Sequence, residues 1–285
     1  MLNALRSIST WAATTFLIAI PTAVNALEVD ISPKAPQMGD TISVLITPDD
    51  NTSPPPIVNL EEKNYPVFPL GDRYRALIPT SPLDPPGKMT VRVEGEESTS
   101  NIGVWLKNRV FPIQRIWLTG KASRPATDTE LEKVAEFKSL VTPQKFWNGT
   151  FTKPSSASVS TVFGVRRYYN GEFANDYYHK GVDYAGSSGS LVVAPTAGKV
   201  RLIGREDEDF HVHGNTIGID HGQGVVSIFM HLQDIYVREG DMVQPGQRIG
   251  TVGSSGASTG PHLHWGLYVN GIAVDPVPWR FTGIE

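Results

Sequence analysis

The 285-residue chain contains no cysteine. That absence excludes disulfide staples, thiolate metal sites, a cysteine nucleophile and a lipid-bearing cysteine behind a leader. Stability therefore has to come from packing, and the length leaves room for two domains. An excess of positive charge is also missing, since 25 Lys and Arg face 29 Asp and Glu for a formal net charge of −4. Such a balance carries no electrostatic footprint for nucleic acid. It also gives no general attraction to anionic polymers, so a substrate has to be held by specific contacts. A membrane-length hydrophobic run is absent too. The N-terminal apolar run, Trp11 to Ile20, is well short of the roughly 20 residues that a spanning helix needs. With Arg6 before it and the small-residue site Val24-Asn25-Ala26 after it, residues 1–26 read as a secretory signal peptide. An uncleaved anchor is the alternative.

What the chain does have is seven histidines, all between positions 179 and 264. His262 and His264 stand two apart in a run whose apolar residues, Leu263, Trp265, Leu267 and Val269, recur with period two. This is a strand pattern, and it puts both imidazoles on one face. His179 and Asp183 are four apart, a spacing that shares a face in a helix or a strand, and Gly181 and Val182 between them argue against helix. Two imidazoles and one carboxylate, His179, Asp183 and His264, make the ligand set of a catalytic zinc that keeps a fourth position for water. Such a metal lowers the pKa of its water and polarises a carbonyl. His262 and His231 are then available to accept a proton and to steady an oxyanion.

A second H-x-H pair, His211 and His213, follows the charged run Arg205 to Asp209 and precedes Gly214-Asn215. A charge run ending in Gly-Asn reads as a solvated hairpin, with contact at a substrate rim as the minor option.

From about Trp147 to the C-terminus the chain resembles the lysostaphin/LytM-type zinc metallopeptidases, which cleave peptide bonds in bacterial peptidoglycan. The resemblance is carried by Phe151-Thr152-Lys153-Pro154, Val162-Phe163-Gly164-Val165-Arg166-Arg167, His179-Lys180-Gly181-Val182-Asp183, Ala194 to Val200, Gly214-Asn215, Ile219-Asp220-His221-Gly222, His231-Leu232 and Gly256 to Trp265. It implies one Zn2+ held by His179, Asp183 and His264, catalysis by His262 and His231, and a structural part for His221. It also implies a small antiparallel β core of LytM/duplicated-hybrid-motif type. Peptidoglycan is the implied partner, with no stable membrane span after signal cleavage, in the periplasm or at the cell exterior. Many members carry Tyr where this chain has Phe229, which bears on substrate contacts. Tyr184, the Gly253 to Gly260 loop and, by resemblance only, residues near Tyr168 and Asn170 are expected to line the groove. Degenerate relatives bind wall or activate amidases without catalysis, but those lack zinc ligands that this chain keeps.

The expected class is mainly all-β. Residues 27–108 show short alternating runs, Thr41 to Ile46, Arg73 to Ile78, Met89 to Val93 and Ile102 to Leu106, between Pro-, Gly- and Asp-rich turns. They suggest a β-sandwich, with an immunoglobulin-like arrangement as one option. A spacer or shield is the favoured role, and a wall- or partner-binding module the other. Residues 109–146 read as a linker, in which Thr127-Asp128-Thr129-Glu130 has capping-box form and starts a helix over about 128–140. Residues 147–285 make the metallopeptidase domain, with strands predicted at Leu191 to Ala194, Lys199 to Ile203, Thr216 to Asp220, Val225 to His231 and His264 to Val269.

Overall fold

The computed structural model describes residues 27–48, 54–96 and 98–284. The expected signal peptide lies outside these residues. Among the described residues, no helix is long and apolar enough to cross a membrane.

The chain is mostly β. Its N-terminal part forms two four-stranded antiparallel sheets. One runs Glu28–Ser32, Thr41–Thr47, Arg73–Pro79 and Val67–Leu70, and the other Lys63–Tyr65, Ile57–Leu60, Gly87–Glu94 and Thr99–Leu106, each in spatial order. Alternate residues from both sheets, among them Ile42, Val44, Ile46, Val58, Ile78, Val91 and Val93, meet in one apolar core. The Thr41–Thr47 strand is also buried at Thr41 and Ser43, on its other face. That face is covered by the C-terminal part. Trp279 Nε1 donates to Thr41 Oγ1 at 3.2 Å and Asn270 Nδ2 donates to the Leu77 carbonyl at 2.8 Å, while Arg109 of the connector pairs with Asp275 at 2.8 Å. Gly39, at φ +94°, is pressed so closely that a Cβ there would lie 2.6 Å from the Phe163 ring.

The C-terminal part is a branched ten-stranded antiparallel sheet. Its main path runs Ser158–Thr161, Val182–Ala185, Leu263–Val269, Val225–Ile235, Asn215–Gly222, Gly198–Gly204 and Met242–Val243, and the strands Leu191–Val193, Arg248–Val252 and Ile272–Val274 branch from it. The sheet coils around a core that includes Val200, Ile219, Ile228, Leu232, Val252 and Trp265, all buried. The central pair is fixed by a long register in which Met230 faces His264 and Val225 faces Val269.

Between these parts, residues 109–146 hold more than the expected helix. Ile113–Ile116 is a strand that pairs in parallel with Arg166–Tyr169, which pairs in turn with Glu172–Phe173. A parallel partner 53 residues away leaves no hairpin signal in sequence. The helix spans Asp128–Lys138, and Thr127 Oγ1 accepts the Glu130 N–H at 3.0 Å as its cap. The reciprocal arm of the capping box is absent, because the Glu130 carboxylate is turned to a loop of the C-terminal part.

Candidate metal centre

Asp183 and His264 are directly opposite each other on paired antiparallel strands. Cross-strand partners on one face lie within side-chain reach, and the Asp183 Oδ1 to His264 Nδ1 separation is 2.9 Å. His179 enters from the segment before the Val182–Ala185 strand, with Nε2 at 2.9 Å from Asp183 Oδ1 and 3.0 Å from His264 Nδ1. All three residues are buried. Gly181 makes the approach possible, since a Cβ there would lie 2.8 Å from the His264 ring and 2.3 Å from the Trp265 carbonyl oxygen.

The donor set fits a zinc ion on its own chemistry. His179 Nδ1 sits 2.8 Å from the Val162 carbonyl and gives it the ring proton, so Nε2 keeps its electron pair. That pair is turned toward a carboxylate oxygen and a second ring nitrogen, a convergence of donors that a cation relieves. Two nitrogens and one oxygen are the donor set of an open catalytic zinc site. Ionisation states agree with this. Burial alone would raise the Asp183 carboxyl, but its contacts with His179 and His264 outweigh that and hold it well below the usual carboxylate range. Burial pushes His264 down to about 4, leaving the neutral imidazole that metal binding requires.

Two further imidazoles flank the triad. His262 has Nε2 4.0 Å from Asp183 Oδ1, and its Nδ1 lies 2.8 Å from the Gly260 carbonyl. His231 Nδ1 lies 2.9 Å from the Ser255 carbonyl, and its ring centroid is 4.7 Å from that of His262. In both rings the Nδ1 proton goes to a carbonyl, which leaves Nε2 as the basic atom. Burial, reinforced by the charges of His262 and His264, holds His231 well below the ordinary histidine value. All five residues border one cleft of about 780 Å3, together with Arg167, Tyr169, Tyr177, Ala257, Thr259 and Gly260.

The two expected substrate contacts lie elsewhere. Tyr184 follows Asp183 on the same strand and points to the opposite face, where it is fully buried in the core. Asn170 sits in a turn at φ +51°, and its Oδ1 accepts the Leu118 N–H at 2.8 Å. It therefore ties down the connector instead of bordering the cleft. His221 is buried and does not border the cleft, with Nδ1 2.9 Å from the Ala197 carbonyl and Nε2 2.8 Å from Ser227 Oγ. His211 and His213 are half-buried rather than solvated, and His213 borders the cleft with its Nδ1 2.6 Å from Glu130 Oε1.

Sequence reasoning missed the cleft wall supplied by the connector. Gln114, Ile116 and Leu118 border it, and Lys121 Nζ donates to the Ser254 carbonyl at 3.0 Å across the rim. It also missed Arg167, which faces Asp183 Oδ2 at 3.7 Å while its Nε donates to Gln114 Oε1 at 3.1 Å. The Arg166-Arg167 pair was visible in sequence, but nothing there tied it to Asp183.

Residues 177–276 match the model of Peptidase family M23. Over 98 residues the chain is 37% identical to the peptidoglycan DD-endopeptidase ShyC of Vibrio cholerae, a match covering 34% of this chain and 22% of that protein. Over 128 residues it is 32% identical to the murein hydrolase activator NlpD of Escherichia coli, covering 45% and 30% respectively. The chain thus spans less than a third of the length of these curated relatives. A Pseudomonas aeruginosa protein whose crystal structure is described as a peptidase M23 is similar over 88% of this chain and 96% of its own, with a TM-score of 0.64 and 25% identity. On the family match and the arrangement of its histidines and aspartate, residues 177–276 form a Peptidase family M23 domain.

Proposed function

We propose that the chain is a zinc-dependent endopeptidase that hydrolyses peptide bonds in the stem peptides or cross-links of peptidoglycan, outside the cytoplasmic membrane. The observation that carries this reading is the complete set of five groups bordering one cleft: His179, Asp183 and His264 as ligands, His231 and His262 beside them. A zinc ion held by the three ligands supplies Lewis acidity, making water a better nucleophile near neutral pH and polarising a carbonyl. The chain's own residues do the rest. His262 and His231 each keep a basic Nε2 because Nδ1 is committed to a backbone carbonyl. One of them accepts a proton from the attacking water and later returns it to the leaving amine. The other, when it carries a proton on Nε2, donates to the oxyanion that develops on the carbonyl. Val162 and Arg167 hold His179 and Asp183 in orientation from outside the donor set.

The test is digestion of defined muropeptides with mass spectrometry of the products, comparing wild type with His262→Ala. Cleavage by wild type alone supports the reading, and zinc-loaded wild type that cleaves no stem or cross-link peptide sinks it. The likeness to NlpD favours a second reading, a wall-binding or amidase-activating protein without catalysis. A purified chain that contains no zinc and stimulates an amidase would establish that alternative.

A further inference from the structure

Glu130 has no exposed surface, although it comes from the connector helix, outside the segment that matches the family. Taking a carboxylate out of water is costly unless its electron pairs are satisfied. Here one loop satisfies them. Oε1 accepts the N–H groups of Val212 at 3.0 Å and His213 at 2.6 Å and meets His213 Nδ1 at 2.6 Å. Oε2 accepts the N–H groups of His211 at 3.1 Å and Val212 at 3.2 Å. Consecutive backbone N–H groups converging on one anion form a nest, so the conformation of residues 211–213 depends on a charge from the connector. Burial would raise the Glu130 carboxyl, but hydrogen bonds from His213 and the loop outweigh it and keep the group ionised.

The loop passes this constraint on. The His213 carbonyl accepts the His231 N–H at 3.1 Å, and the Val212 carbonyl accepts the Ala257 N–H at 3.0 Å. Ala257 belongs to the turn whose Ser255 carbonyl accepts the His231 Nδ1 proton. Ser255 is anchored by the same loop, since its Oγ accepts the Asn215 N–H at 2.8 Å. The loop and the turn touch without slack: a Cβ on Gly214 would lie 2.5 Å from Ser255, and one on Gly256 would lie 2.6 Å from the Val212 carbonyl oxygen. His231 needs such support because its backbone sits at φ +62°. A non-glycine residue stays there only when its surroundings over-determine it.

We propose that Glu130 is a positioning residue for His231, acting through the 211–214 loop to fix both the backbone and the ring angle of that histidine. The proposal rests on the reading of His231 as a proton-handling group. Residues that hold a reacting group in orientation affect turnover more than binding. Glu130→Gln keeps the shape, removes the charge and sets an amide N–H2 among N–H donors. It is expected to bind zinc at wild-type stoichiometry and to keep KM, with kcat on a defined muropeptide lowered about 10–100-fold. The His231 Hδ1 resonance, held by the Ser255 carbonyl in wild type, is expected to broaden or vanish. Glu130→Asp, with the charge on a shorter stem, recovers part of kcat.

Wild-type kcat in folded Glu130→Gln overturns the proposal, as does a fall in kcat that merely follows zinc loss. If neither variant folds, Glu130 is a structural carboxylate and the positioning role falls. An inactive wild type would overturn the peptidase reading instead. The His231 Hδ1 resonance, compared between wild type and Glu130→Gln, would still decide the positioning role.

Discussion

His264 and His262 are two residues apart and lie beside the same carboxylate, yet their atoms do different things. His264 Nδ1 is 2.9 Å from Asp183 Oδ1, whereas His262 Nε2 stands off at 4.0 Å. His264→Ala or Asp183→Ala is therefore expected to lose both zinc and lytic activity, while His262→Ala keeps zinc and loses turnover. Elemental analysis alongside a muropeptide assay checks this, and equal zinc loss in His262→Ala would reverse the roles within the pair. His221 sets a stability limit of its own. Burial lowers its pKa to about 4, against about 6.5 in an unfolded chain. Between these values the unfolded chain holds a proton that the folded one does not, so stability rises with pH and is lost as the pH falls through the window. The loss reaches roughly 3 kcal/mol once both forms are protonated. Urea unfolding from pH 4 to 7 should show this slope in wild type and a flatter one in His221→Gln. Equal slopes would contradict it.

The strands were largely legible because period-two alternation follows from the pleat itself. Thr41 to Ile46, Arg73 to Ile78, Lys199 to Ile203 and Thr216 to Asp220 each fall within an observed strand. The same rule was available for Tyr184: if Asp183 faces the metal, its neighbour cannot. The connector helix was legible from Thr127, its cap, but the destination of Glu130 was not, because its partners lie 81 to 83 residues away. Thr127→Ala removes the cap and also the bond from Thr127 Oγ1 to the Asp209 carbonyl. It is expected to cost about 1 kcal/mol, measurable as a lower urea midpoint at unchanged slope. No shift would mean that the cap contributes nothing.

At the scale of the whole molecule, the N-terminal sheets and the C-terminal sheet share buried contacts. Leu77 belongs to the large C-terminal core, Arg75 is buried against Gln223 and the Trp147 ring, and Trp279 reaches back to Thr41. Units joined by buried polar and apolar contacts unfold together. Calorimetry is expected to give one transition, and two well-separated transitions would show that the units are independent. Asp275→Ala, which leaves Arg109 without its 2.8 Å partner, is expected to lower that single transition temperature. An unchanged midpoint would mean that the pair adds no stability.

The sequence by itself singled out His179, Asp183 and His264 as a candidate ligand set, because spacing along a strand decides which side chains share a face, and that is a local property of the chain; the structure brings the three together. The sequence also determined that no disulfide would hold the molecule together. Only the tertiary structure decided what surrounds the site: that Tyr184 leaves the cleft, that Asn170 is spent on the connector, that Arg167 faces Asp183, and that His213 is gathered in by Glu130. Those outcomes depend on pairings between distant segments, such as Ile113–Ile116 beside Arg166–Tyr169. Their stabilisation comes from burial and hydrogen bonds that exist only once the sheets have packed, so no local pattern announces them.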